Sequence, residues 1–142
     1  MKANVKLCSL VLCLMILTGC VTRQDADKKM GKACEAAARI FRTDGFTVKS
    51  VNKVDSKISK KFGNGYRDVT VSVTESDSWL DIDKDYNCTF AENFGMLNSS
   101  FDADLYRIEV DGQIFGMDDG QILGGPEIQI QLDRAVKSVL YD

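Results

Sequence analysis

The chain has 142 residues, 27% of them charged and 44% hydrophobic, with a formal net charge of −3 and no histidine. Length and apolar content suit one domain with a real core. The missing histidine excludes Ser-His-Asp and Cys-His catalysis, imidazole base chemistry and His-ligated zinc from within this chain, and the acidic balance disfavours nucleic acid as a partner.

Met1 to Lys6 carries Lys2 and Lys6 and no acid, Leu7 to Leu17 is apolar apart from Ser9, and Leu17-Thr18-Gly19-Cys20 closes the run. These eleven residues fall well short of the ~20 needed to span a bilayer, so a signal h-region is predicted. The closing residues resemble the lipobox of bacterial lipoprotein precursors. The resemblance implies that residues 1–19 are removed as a signal peptide and that Cys20 becomes the N-terminus. Its sulfur would carry a diacylglycerol and its amine usually a further acyl chain such as palmitate, an attachment far firmer than one chain alone. In that family an aspartate after the cysteine favours the inner membrane. Val21 stands there instead, which implies the outer membrane, periplasmic face, with the inner membrane and the cell surface as alternatives. The competing reading is an ordinary secretory signal with Cys20 an incidental thiol.

On the lipoprotein reading the mature part is residues 20–142, with a formal charge of −5. Residues 20–24 are expected as a short tether, reaching roughly 17 Å when extended, and residues 25–142 as a single domain. Cys8 and Cys13 leave with the signal and Cys20 is consumed by lipid, so Cys34 and Cys88 remain. In an oxidising compartment they predict one disulfide, closing a loop of about 55 residues and stabilising by on the order of 4 kcal/mol. Two buried free thiols or a redox pair are the alternatives, the latter without the usual C-x-x-C spacing.

Along the mature chain, Met30, Ala33, Cys34, Ala37, Ile40 and Phe41 form a helical stripe within Asp25–Arg42, and Thr43-Asp44-Gly45 is the expected stop. The period then changes to two. Phe46–Val51 and Lys57–Phe62 read as two strands, and Gly63-Asn64-Gly65 as the turn into Tyr66–Thr74, where Val69, Val71 and Val73 alternate with polar residues. Trp79–Phe90 continues the alternation with Tyr86, Cys88 and Phe90 on one face. Phe101–Val110 and Gln113–Met117 flank Asp111-Gly112, a strong hairpin signal. Asp118-Asp119-Gly120 and Gly124-Gly125 break regular structure, and Pro126 opens a helix with a stripe of Ile128, Leu132, Ala135, Val136 and Val139. A helix, about five antiparallel strands and a second helix predict an α+β two-layer sandwich, with both helices on one face of the sheet.

Candidates for chemistry are few. Asp81, Asp83, Asp85 and Glu92 share the spacing of a calcium loop, but Tyr86 stands where that loop needs glycine. A strand with alternating solvated aspartates is the favoured reading, and no cofactor is expected. Trp79, Tyr86, Phe90, Phe94, Phe101 and Tyr106 suit either a core or a stacking platform. The charges are segregated: Arg23–Arg67 holds twelve basic and five acidic residues, whereas residues 68–142 hold four and sixteen. Lys28, Lys32, Arg39 and Arg42 on the first helix, with Lys57–Lys61, are candidates to face anionic headgroups, each worth on the order of 1 kcal/mol near the surface. The alternative is that the two charge sets are simply solvated or complement each other within the fold.

These features lead to the expectation of a non-enzymatic lipoprotein, held at the bilayer through Cys20 and binding a membrane-proximal envelope protein. An inhibitor or ligand-binding lipoprotein is the first alternative, for which Gly95–Ser100 and Asp118–Gly125 are the loops of interest. A carboxylate-based cell-wall hydrolase is the second, though no acid pair can be singled out for it.

Overall fold

In the computed structural model residues 20–141 are described; the signal segment expected over residues 1–19 lies outside them. Helix α1 (Arg23–Ala38) is followed by strands β1 (Thr47–Ser59), β2 (Gly63–Ser76), β3 (Asp81–Phe94), β4 (Phe101–Val110), β5 (Gln113–Asp118) and β6 (Gln121–Leu123), then helix α2 (Gly125–Leu140). The strands form one antiparallel sheet in chain order. Both helices pack on one face of it and against each other, which is the expected α+β sandwich.

α1 starts at Arg23 because Thr22 caps it: the Asp25 N–H donates to the Thr22 hydroxyl at 3.1 Å, and Asp25 places a carboxylate in the first turn. It ends four residues before the expected Arg42. Ile40 and Phe41 leave the helix through short-range turns and pack on the core, Phe41 against Phe115 with ring centroids 4.4 Å apart. The buried face of α1 is otherwise made of small residues, Ala26, Ala33, Cys34, Ala37 and Ala38, with Met30 the one long side chain. The helix therefore lies close to the sheet.

The two strands expected over Phe46–Phe62 are a single one, β1. Register shifts at Val48/Ser50 and Val51/Lys53 let it continue through the polar Asn52 to Asp55 against β2. It turns at Lys60–Phe62 instead of at Gly63-Asn64-Gly65, with the Ser59 hydroxyl accepting from the Phe62 N–H at 3.3 Å. β3 begins two residues later than expected. The Asp77 carboxylate accepts from the N–H groups of Trp79 and Leu80 at 2.7 Å each, forming a side-chain-capped turn that leaves Trp79 outside the strand.

Asp111 and Gly112 have φ of 51° and 78°, as a two-residue hairpin turn requires. Asp119 and Gly120, at 45° and 79°, repeat that conformation and produce β6 where a simple break was expected. α2 buries Leu132, Val136 and Leu140 and leaves Ile130 exposed.

Val69, Val71 and Val73 of β2, Tyr86, Cys88 and Phe90 of β3 and Ile108 and Val110 of β4 meet the helices in one core. On the uncovered face Thr70 donates to Asn87 at 2.7 Å, Thr74 to Asp83 at 2.6 Å and Thr89 to Asp68 at 2.9 Å. Cross-strand polar pairs thus hold the solvent side. A disulfide joins Cys34 of α1 to Cys88 of β3, with Cα atoms 5.8 Å apart. It ties helix to sheet at the centre of the core.

Candidate functional site

The sheet has two ends with different chemistry. α1 runs alongside β3 in the opposite direction: Arg23 at its start grips Glu92 near the end of β3, while Thr43 beyond its finish donates to Glu75, which is paired with Ile82 near the start of β3. Everything near Cys20 therefore lies at one end. The Asp77–Leu80 turn lies at the other, separated by the length of β3, on the order of 40 Å for a strand of this length.

At the Cys20 end the chain is fastened before the helix begins. The Val21 N–H donates to the Asn98 carbonyl at 2.9 Å, and the Cys20 thiol donates to the Leu97 carbonyl at 3.7 Å. Of residues 20–24, expected as a short tether, Val21 is thus hydrogen-bonded to the β3–β4 connection and the last two already belong to α1. The Arg23 guanidinium forms a two-pronged bond to Glu92 (2.8 and 2.6 Å) and lies 4.7 Å from the centre of the Phe94 ring. The carboxylate raises the Arg23 pKa further, against the opposing effect of partial burial. Asp27 links the same helix to β1 and β2, accepting from Ser56 at 3.0 Å and pairing with Arg67 at 3.2 Å.

The β3–β4 connection that receives Cys20 is a short 3-10 turn, Met96–Asn98, closed by the Gly95 N–H donating to Ser100. Leu97 and Asn98 are both left-handed, with φ of 56° and 57°. Met96 is 85% and Leu97 86% exposed. The β1–β2 turn stands at this end too, its Lys61 bound to Asp118 at 2.6 Å and near Asp119.

At the far end Trp79 is 95% exposed, beside half-exposed Leu80. Lys49 pairs with Asp81 at 2.5 Å and Lys84 with Asp111 at 2.9 Å, so the ion pairs flank an apolar tip.

The chain matches no known protein family, no curated protein and no solved structure.

The candidate calcium ligands are spread along the extended β3, where Asp81 and Glu92 stand roughly 36 Å apart by strand rise. Asp81 is held by Lys49, Asp83 accepts from Thr74, Asp85 is exposed, and Glu92 is occupied by Arg23. The loop geometry is not formed, and among the described residues no three His, Cys, Asp or Glu side chains converge to hold a metal. The aromatic set also disperses. Tyr86 and Phe90 are core, Phe94 pairs with Phe101 at 5.2 Å, Trp79 stands alone, and Tyr106 instead meets Phe62 and Tyr66 at 5.0 and 5.1 Å.

The basic residues of the first helix divide. Lys28 and Lys32 line a groove of about 660 Å³ between α1 and β1, to which β1 contributes Val54 and Ser56. Arg39 is paired with Glu35 at 2.6 Å, and Arg42 lies past the helix, toward the Trp79 end. Several basic residues of the first half are bound by acids of the second: Arg23 by Glu92, Lys49 by Asp81 and Lys61 by Asp118. To that extent the two charge sets complement each other within the fold.

Glu75 is the one fully buried carboxylate among the described residues. It accepts from the Tyr86 hydroxyl at 2.5 Å and from the Thr43 N–H at 3.1 Å. Burial pushes its pKa up, but these hydrogen bonds outweigh burial and leave it below its ordinary value. It fastens the segment after α1 to the sheet.

Sequence reasoning does not single out Glu75, and it names the Gly95–Ser100 loop as a candidate ligand loop without marking Met96 and Leu97 within it. The alternation of β2 ends on a charged residue, which is the available signal for the first. Two apolar residues inside an otherwise polar loop are the signal for the others.

Proposed function

We propose that this chain is a lipid-anchored bacterial envelope module, non-enzymatic and periplasmic-facing, which holds another envelope protein at the end of the sheet farthest from Cys20. The observation that carries this reading is the placement of Cys20 and Trp79 at opposite ends of one rigid sheet. A tryptophan exposed to 95% beside Leu80 is the residue type that anchors protein interfaces when a partner desolvates it. The partner it suits lies deeper in the periplasm than the membrane surface, yet within one domain length of it. The Cys34–Cys88 disulfide supports an oxidising compartment, and Val21 after the lipobox supports the outer membrane.

A second reading has its own observation. The groove between α1 and β1 is large enough for a small ligand or an extended peptide, with Lys28 and Lys32 in its lining, and would suit a ligand-binding or inhibitory lipoprotein. The hydrolase reading finds less support. A general acid needs a carboxyl with a raised pKa, and the one buried carboxyl among the described residues, Glu75, is held below its usual range by its hydrogen bonds.

The test is photo-crosslinking in cells. A crosslinking residue in place of Trp79, and another in place of Val54 in the groove, would be compared in the full-length chain. One discrete protein adduct from position 79 is expected. Adducts from position 54 alone would move the contact to the groove. An intact mass lacking the diacylglycerol on Cys20 would remove the anchoring half of the reading.

A further inference from the structure

We infer that Met96 and Leu97 form a second membrane contact, inserting beside the acylated Cys20 into the boundary between headgroups and acyl chains. The inference rests on the lipid-anchored reading of Cys20 and adds to it a side-chain contact and an orientation.

Three observations converge on the loop. The Cys20 sulfur lies 3.7 Å from the carbonyl oxygen of Leu97 itself, and Val21 is hydrogen-bonded to Asn98. A diacylglycerol joined to that sulfur replaces the thiol hydrogen, and the Val21–Asn98 hydrogen bond then keeps its glycerol carbons beside this loop. The loop is thereby held at glycerol depth, where the acyl chains begin.

The second observation is exposure. Met96 and Leu97 present two long apolar side chains, each more than four-fifths exposed, on a turn of only a few residues. Single exposed apolar residues are ordinary. Two adjacent ones, on a loop whose backbone meets the attachment point of a lipid at the Leu97 carbonyl, are placed where the bilayer covers them.

Backbone conformation is the third. Leucine rarely adopts φ near 56°, yet Leu97 and then Asn98 do so in succession. Gly95, Asn98 and Ser99 N–H groups donate within the turn, to Ser100, Gly95 and Met96. The turn has its own hydrogen bonds and leaves its two side chains in solvent. Apolar side chains at the headgroup boundary, with cationic ones beside them, are the usual composition of an interfacial contact. Exposed Lys60 and Lys61 stand in the β1–β2 turn at this end, although Lys61 is shared with Asp118 and Asp119.

With Cys20 and this loop both in the interface, the domain is held at two points and its strands stand away from the membrane. Trp79 is then carried to the far side.

The experiment uses the full-length chain expressed in bacteria, purified from membranes and reconstituted in vesicles of phosphatidylethanolamine and phosphatidylglycerol, with lipids brominated high on the acyl chain. Trp79 is the only tryptophan, so Trp79→Phe with Leu97→Trp, and Trp79→Phe with Met96→Trp, each report one position. Intact mass establishes acylation in each preparation. Blue-shifted emission and loss of most of the intensity to the brominated lipid are expected at positions 96 and 97, with the wild-type Trp79 red-shifted and unquenched. Acylated protein in which the indole at either position emits as in water and escapes quenching overturns the membrane contact and leaves the anchor standing. An unacylated mass overturns the anchor, and this inference with it.

Discussion

Tyr86 donates its hydroxyl to the Glu75 carboxylate at 2.5 Å, and both side chains are completely buried. This pair links β2 to β3 beneath the end of α1, while Thr43 occupies the other carboxylate oxygen. Replacing Tyr86 by Phe keeps the ring and leaves a buried charge with one fewer donor. A loss of about 1–3 kcal/mol at neutral pH is expected, read from the urea midpoint. Unchanged stability would mean that water replaces the hydroxyl.

The pair also sets a pH dependence. The folded pKa of Glu75 lies below its ordinary value, because hydrogen bonds from Tyr86 and Thr43 outweigh the upward effect of burial. Its contribution is therefore fully present above the unfolded value near ~4.3 and is lost as pH falls through the folded one. Tyr86 is shifted the other way, upward by burial and by the Glu75 carboxylate. Its contribution is present below ~10 and lost as pH rises above that. In Tyr86→Phe the upward effect of burial is no longer opposed by the Tyr86 hydroxyl, so the Glu75 pKa rises and protonation relieves the orphaned charge. The stability gap between wild type and variant should narrow from neutral pH to pH ~4. A gap that widens on acidification would contradict this.

The Cys34–Cys88 bridge spans a sequence separation of 54 residues. Cys34→Ser with Cys88→Ser is expected to cost on the order of 4 kcal/mol, most of it through the unfolded chain. That approaches the whole stability of a small domain, so the reduced protein should be partly unfolded at 37 °C. Thermal unfolding with and without reductant measures it. A change of less than a few degrees would show that the core holds without the bridge.

Gly31 sits where a Cβ would meet Val54 Cγ1 at 2.8 Å. A helix favours Ala over Gly by about 1 kcal/mol. Val54 lies on an edge strand and is 47% exposed, so it can move aside. Gly31→Ala alone is expected to change stability by less than about 1 kcal/mol, and Gly31→Ala with Val54→Ala to recover the helix gain. Additive behaviour in the double-mutant cycle would show that the two residues do not meet.

The helix–strands–helix order is legible because the hydrophobic period changes sharply, from the Met30–Cys34–Ala37 stripe to the Val69–Val71–Val73 alternation. The Cys34–Cys88 pairing follows from elimination of the other thiols. β1 reads as two strands because its bulges break the alternation between Val51 and Lys57, and pairing to β2 restores continuity. β6 has three residues, too few for any periodic signal, although Asp119-Gly120 carries the same turn chemistry as Asp111-Gly112. Trp79 fits the alternating pattern. Only the Asp77 side chain, capping the turn, puts it outside the sheet. The calcium spacing is a property of the linear chain, which an extended strand pulls apart. The meeting of Cys20 with Leu97 depends on which strand α1 lies along, and no local pattern encodes that.

On the lipoprotein reading the meander has a consequence for export. Each strand pairs with the one just before it, so a chain threading through a translocon from its N-terminus always finds its partner already outside. The sheet can zip up during passage, with short loop closures at every step. The disulfide cannot. Cys34 emerges long before Cys88, and until then the nearest thiol outside the membrane is Cys20, fourteen residues away. On the lipoprotein reading, acylation of that sulfur does more than fix the protein in place. Completed before Cys88 emerges, it would remove the one wrong partner while a mispaired bridge could form, and anchoring would then also safeguard oxidative folding.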